Sequence, residues 1–435
     1  MFILQKPPSL QWELTPNCNH DCIHCYNYWR KDYEKIDGIS KTKSEAEYFE
    51  IAKRIVELQP VSVTLTGGEP LLAFAQIRKS IDLLQKNKIV VTINTNASLL
   101  NDDICNFLKS RDIHLFVSFP CAEPEICDII VNKHGAFHKI VRGLDVAYSY
   151  DLDFSNNIVV SKKNIDYVEK TIDFLVDRYQ CSFVSVTRVS RPINSDASFN
   201  DWMLDRDGIH RLLDIIVFVN KKYPKLTIGT ACPYTPCSIN SQDAFSLYGY
   251  QKMCTAGKTS FAIDVDGNYK ACPRDNRLYG NIFEDSFATI YARMHEWRDG
   301  SFLPAECKKC TELSKCLGGC RTDSIPFTGK SDSLDCISDP DNLPIKYSIQ
   351  PKRTVSKDTV VIYDPDKVVC VEHENMIRLS HGRNYVMVTP KFYEFLSNNG
   401  EGFTTERLAK AFNKSSDVAE KVIGRLLAEK IIHAM

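Results

Sequence analysis

Between residues 10 and 222, short apolar, β-branched runs alternate six times with amphipathic stretches. The runs at 11–16, 61–67, 89–96, 113–120, 154–161 and 181–189 have strand character. The stretches near 42–57, 72–86, 101–110, 136–150, 164–179 and 207–222 repeat apolar residues at helical spacing. Successive strands joined by helical crossovers lie parallel in one sheet. The fold class is therefore α/β, and an open doubly wound sheet and a partial barrel both satisfy the alternation. In either arrangement ligands gather at the carboxyl ends of the strands.

Several polar and sulfur-bearing segments fall at those ends. Cys18, Cys22 and Cys25 follow the first strand, in TPNCNHDCIHCY. TGGEP, residues 66–70, follows the second, and NTNA at 94–97 closes the third. Ser118 sits late in the fourth strand and Asn157 lies within the fifth. From about 226 the pattern changes. SFAIDVDGNYKACP (260–273) alternates like a hairpin around Asp266-Gly267, a helix is expected near 285–298, and a cysteine-dense tract runs to Cys336. Residues 337–358, rich in Pro, Asp, Lys and Ser, have linker composition. Four short strands (359–364, 367–372, 376–380, 384–388) and three helices (390–398, 404–412, 416–429) then make a small winged-helix-like unit. The expected domains are 1–225, 226–345, a linker at 346–358, and 359–435.

With 54 basic and 55 acidic side chains, the protein has no electrostatic case for nucleic acid or an anionic membrane as main partner. The first apolar run, in MFILQKPPSLQWEL, is too short for a signal peptide, and no run of about 18 apolar residues occurs. A cytoplasmic location is expected. Seventeen cysteines without an export signal point to metal or redox chemistry before disulfides. Ten are patterned; Cys105, Cys121, Cys127, Cys181, Cys232, Cys237 and Cys370 are expected mostly as buried fillers.

The C-x3-C-x2-C spacing offers three thiolates on one short loop. Zinc prefers a closed tetrahedron of four protein ligands, and His20 or His24 would have to complete it from inside that tight loop. An iron–sulfur cluster held by three thiolates keeps one iron open, able to bind and activate a small molecule. With Tyr26 following, the trio resembles the radical S-adenosylmethionine (AdoMet) superfamily. The resemblance implies a [4Fe–4S] cluster on Cys18, Cys22 and Cys25 and AdoMet on its open iron, with Tyr26 in the cofactor site. TGGEP alone is an ordinary strand-to-helix turn. After this trio it resembles the family's GGE motif, placing Gly67, Gly68 and Glu69 at the cofactor's amino group. By the same resemblance Asn96, Ser118 and Asn157 lie near its ribose or carboxylate. The segment IIVNKHGAF (129–137) lacks the arginine that relatives often carry there, leaving Arg188 as a candidate for the carboxylate.

The later cysteines run Cys254, Cys272, Cys307, Cys310, Cys316, Cys320, Cys336, with Gly267 between the first two. Two zinc ribbons could use C-x2-C pairs. The full order resembles the SPASM domain, which implies two auxiliary [4Fe–4S] clusters. Cys254, Cys272 and Cys320 would hold the first, with Cys232 or Cys237 available to reach in. Cys307, Cys310, Cys316 and Cys336 would hold the second. The C-terminal unit resembles a PqqD-like peptide-recognition domain, which holds a leader peptide as an added strand. The charge-mixed NKSSDVAEKVIGRLLAEK argues against a DNA-reading helix.

The whole sequence thus resembles a radical SAM/SPASM peptide maturase: a partial (β/α)6 TIM-like barrel, a cysteine-rich domain and a winged-helix-like domain. Its implied partners are a precursor peptide and an electron donor such as flavodoxin or ferredoxin. The implied product is a C–C or thioether crosslink. A peptide epimer, with Cys121 as candidate hydrogen donor, and an anaerobic sulfatase-type formylglycine maturase are the enzyme alternatives. A zinc-dependent winged-helix DNA-binding regulator is the non-enzyme alternative.

Overall fold

A computed structural model describes residues 4–26, 42–193, 195–342, 347, 359–373, 375–382 and 384–434. The six expected strands appear as β1 (Ser9–Glu13), β2 (Ser62–Thr66), β3 (Val90–Thr95), β4 (His114–Ser118), β5 (Phe154–Val160) and β6 (Phe183–Arg188). They lie in sequence order, all parallel. Helices at Glu45–Leu58, Phe74–Lys86, Asp102–Lys109, Ala136–Ser149, Val168–Tyr179 and Arg206–Lys222 bury one face each. The first is started by a Ser44–Glu47 capping box, which satisfies two backbone donors at once.

The sheet reaches further than the alternation showed. A seventh parallel strand, β7 (Thr227–Gly229), adds to β6. On the opposite side β8 (Ser260–Ile263) pairs parallel with β1, and β9 (Tyr269–Lys270) closes the hairpin. Its turn contains Gly267 at φ +85°, where a side chain would be strained. The cysteine-rich region is therefore hydrogen-bonded to the strand that delivers the Cys18–Cys25 loop. One hydrophobic core runs from Leu4 through the barrel to Trp297. A buried ion pair, Lys270 Nζ to Glu13 Oε2 at 2.7 Å, joins β9 to β1.

The C-terminal unit has a core of its own, from Val361 to Ile432. It opens on β10 (Val361–Tyr363). Strands β11 (Val369–His373), β12 (Met376–His381) and β13 (Asn384–Val388) form an antiparallel sheet. Helices at Pro390–Asn398, Thr405–Phe412 and Ser416–Ala428 follow as expected. The protein then adds β14 (Ile432–Ala434), antiparallel to β10. Arg378 of β12, 1 % exposed, donates to the carbonyls of Pro7 and Gln59. Those residues precede β1 and β2, so this unit is fastened at the amino end of the barrel. Of the linker at 346–358, only Tyr347 lies among the described residues. Residues 340–342, which also have linker composition, form a turn, with Asn342 Nδ2 donating to Cys237 O at 3.0 Å.

Candidate active site

The loop carrying Cys18, Cys22 and Cys25 leaves the carboxyl end of β1 and is gripped from two sides. On one side the TGGEP turn lies against it backbone to backbone. Gly68 N donates to Thr15 O at 2.6 Å and Glu69 N to Asn17 O at 2.7 Å. A Cβ on Gly67 would come within 2.6 Å of Thr15 O, and one on Gly68 would fall inside the Asn17 carbonyl. The two glycines therefore permit close approach to the cysteine loop itself. On the other side Asp21 N and Ile23 N donate to Val131 O and Ile130 O, 3.1 and 3.0 Å. These are the last carbonyls of a helix at Pro124–Val131 that the sequence pattern did not single out. Its signals are Pro124 in the first turn and Asn132 in the left-handed conformation at the end.

Glu69 is 1 % exposed and its carboxylate is well supplied. It accepts from Leu71 N (3.1 Å), Thr95 Oγ1 (2.6 Å) and Asn96 N (2.9 Å). Burial pushes its pKa up to about 7, and the three hydrogen bonds act against that rise. Asn96 Nδ2 donates to Asn19 Oδ1 at 2.8 Å and approaches Cys18 Sγ at 4.0 Å, while Ser98 closes the ring by accepting from Asn19. Thr95, Asn19 and Ser98 thus belong to the site, although only the NTNA run hinted at them.

Ser118 and Asn157 are register partners on β4 and β5, both half-buried. Asn157 Oδ1 accepts from Thr187 Oγ1 at 2.8 Å. Tyr26 bonds Thr66 and lies close enough to Cys25 and Cys272 to feel both, with its phenol pushed up by burial first.

Arg188 is directed elsewhere than to a cofactor carboxylate. Its Nη2 meets Asp335 Oδ1 and Oδ2 at 2.9 Å and Asp323 Oδ2 at 2.7 Å. Arg274 pairs with the same Asp323. All three of Arg188, Asp323 and Asp335 are about 1 % exposed. Two guanidinium groups against two carboxylates balance charge in the interior and clamp the cysteine-rich tract to the end of β6. Cys121 is wholly buried in the main core, with its thiol pushed up by burial. Cys105, Cys127 and Cys181 are likewise buried, whereas Cys232 and Cys237 are partly buried and Cys370 is exposed.

Thiol spacing tests the metal. Tetrahedral zinc with Zn–S bonds of about 2.3 Å holds its sulfurs roughly 4 Å apart. Among the described residues, Asp323, Asp335 and Cys336 are the one set of three ligand atoms within 4.8 Å of one another, and Arg188 occupies that set. No three cysteine thiols among the described residues lie that close to one another.

Residues 12–175 match the Radical SAM superfamily, and residues 254–311 match SPASM, an iron–sulfur cluster-binding domain. The AdoMet-dependent heme synthase of Methanosarcina barkeri is 26 % identical over 345 residues, 74 % of this protein and 93 % of the relative. The mycofactocin maturase MftC of Mycolicibacterium smegmatis is 25 % identical over 336 residues, 75 % and 81 %. Among solved structures, anSMEcpe with bound AdoMet aligns with TM-score 0.61 and 19 % identity, covering 76 % of this protein and 90 % of that one. Streptococcus suis SuiB bound to its precursor peptide SuiA aligns with TM-score 0.58 and 18 % identity, covering 77 % and 76 %. These two show a shared fold. No helix among the described residues is long and apolar enough to cross a membrane.

Proposed function

Because the sequence includes a radical SAM domain and an iron–sulfur SPASM domain, we propose that the protein modifies a ribosomally made precursor peptide, joining side chains through C–C or thioether crosslinks. AdoMet and the [4Fe–4S] clusters supply the chemistry when bound: reductive cleavage to a 5′-deoxyadenosyl radical, hydrogen abstraction, and removal of the remaining electron. Cys18, Cys22 and Cys25 hold the cluster with the open iron. Glu69, Thr95, Asn96 and Asn19 fix the loop that carries it, while Ser118 and Asn157 lie near the ribose or carboxylate of AdoMet. An electron donor such as flavodoxin or ferredoxin fits this chemistry, in a cytoplasmic setting.

The observation that carries the reading is the β1–β8 pairing. It joins the strand that precedes the Cys18–Cys25 loop to the hairpin lying between Cys254 and Cys272, in register from Ser9–Ser260 to Trp12–Ile263. A cluster held by Cys254 and Cys272 would then supply an acceptor for the electron left on a peptide oxidised at the mouth. The mycofactocin maturase and the SuiB–SuiA complex support a peptide substrate.

The C-terminal unit is proposed to hold the leader. Its β11–β12–β13 sheet has open edges at β11 and β13 among the described residues, where a peptide adds as a strand. Docked at the amino end of the barrel, it stands at least the height of β1 from the mouth, about 17 Å for five residues. A leader must therefore be followed by at least about five extended residues before the modified position. The test is fluorescence anisotropy with a labelled precursor from a short neighbouring reading frame. Binding should weaken at least tenfold on deleting 350–435, and unchanged affinity rejects the leader role.

A further inference from the structure

Four thiols share one cavity in the cysteine-rich region: Cys237, Cys307, Cys310 and Cys316. Three of them are expected from the C-x2-C-x5-C spacing. The fourth is not. Cys237 sits in a short turn, Pro236–Ser238, just after β7, about seventy residues before the others. It is near enough to Cys307 and Cys316 to act electrostatically on each.

Cys336, the fourth member by resemblance, does not line this cavity. The carboxylate of neighbouring Asp335 accepts from Cys320 N (2.7 Å) and Ile337 N (3.2 Å) while it pairs with Arg188. That clamp turns Cys336 toward the guanidinium, with Sγ 3.6 Å from Arg188 Nη1. Leu334 and Ser338, on either side, face the cavity instead.

The cavity has the polar features that thiolate clusters use. Asp339 N donates to Cys237 Sγ at 3.4 Å. Gly318 and Gly319 direct backbone N–H groups at Cys316. Leu317, Gly318 and Gly319 all have φ between +59° and +79°. Helical Cys316 followed by left-handed Leu317 is the pairing that turns successive N–H groups inward as an anion-binding nest, of the kind found at iron–sulfur sites. Hydrogen bonds to the sulfurs set the potential of a cluster held there. Leu313, Leu334 and Pro340 supply apolar wall beside the thiols.

We propose that Cys237 completes the second auxiliary set with Cys307, Cys310 and Cys316, and that Cys336 stays outside it as a neighbour of Arg188. This rests on the iron–sulfur reading of the SPASM region, and wild-type protein tests that first. Anaerobically reconstituted wild type should hold about twelve irons per molecule; a protein without iron would sink the underlying reading before any variant is made. Cys237→Ala should then fall to about eight irons, or change the electron paramagnetic resonance signal of one reduced cluster, while Cys336→Ala does neither. The reverse pattern, a change in both variants, or a change in neither overturns the assignment. Iron anomalous scattering from a crystal of loaded wild type gives the same answer without any substitution. Density bonded to Cys237 Sγ supports the proposal, and density bonded to Cys336 Sγ defeats it.

Discussion

Replacing Gly68 with alanine should disable the radical centre without touching a cysteine. The added Cβ would fall inside the Asn17 carbonyl and 2.7 Å from Pro16 O, whereas real Cβ contacts stay beyond 3.0 Å. Both obstructing groups are backbone, so nothing is free to swing away. The turn and the loop must part, and two short bonds go with them: Gly68 N to Thr15 O at 2.6 Å and Glu69 N to Asn17 O at 2.7 Å. Each such bond contributes about 1 kcal/mol net, and a forced insertion costs about 1–3 kcal/mol, so the local loss is roughly 3–5 kcal/mol. That strain falls one residue before Cys18. The assay is iron and sulfide per molecule after anaerobic reconstitution, alongside 5′-deoxyadenosine formation. Gly68→Ala should keep about eight irons, held by the auxiliary sets, and lose AdoMet cleavage. Full iron with normal cleavage would refute the argument that the glycines exist for this contact.

Three other outcomes follow from the same geometry. Folding favours the protonated form of Glu69, so its contribution to stability declines as pH rises from about 4.5 through about 7; a cationic cofactor favours the ionised form. AdoMet affinity measured by calorimetry should therefore gain about tenfold more between pH 6 and 8 in wild type than in Glu69→Gln, and equal slopes would show that Glu69 does not sense the cofactor's charge. Cys22→Ala should abolish cleavage and remove about four irons, while Cys310→Ala spares cleavage but stops the peptide product. Arg188→Ala leaves two buried carboxylates short of a partner and should cost about 3–5 kcal/mol in urea unfolding. Its AdoMet dissociation constant should stay at the wild-type value, and a marked loss of affinity would return Arg188 to the cofactor site.

The sequence made the barrel legible because β-branched runs and helical spacing are local signals, and each of the six strands was located within a few residues. The C-terminal strands and helices were legible for the same reason. What stayed hidden depends on separation along the sequence. The β1–β8 pairing joins residues some 250 apart, and no periodicity reports it. Arg188 looked available for a cofactor because its partner Asp335 lies 147 residues away. The helix at Pro124–Val131 is only eight residues long, too short to establish a period, yet it carries the carbonyls that hold the cysteine loop. TGGEP was located correctly and its glycines were explained differently: they meet the Thr15–Asn17 backbone. Cys237 was expected as a filler or as an extra ligand of the first auxiliary set, because Cys232 is the one cysteine near it in sequence and Cys307 lies seventy residues away.

The claim that the radical made at Cys18, Cys22 and Cys25 is used on a peptide has one direct test. The reconstituted, reduced protein is mixed with AdoMet and a perdeuterated candidate precursor, and the mass of the released 5′-deoxyadenosine is measured. Deuterium in that product is the expected result, since it records hydrogen taken from the peptide. Unlabelled 5′-deoxyadenosine in the presence of bound precursor would contradict the account.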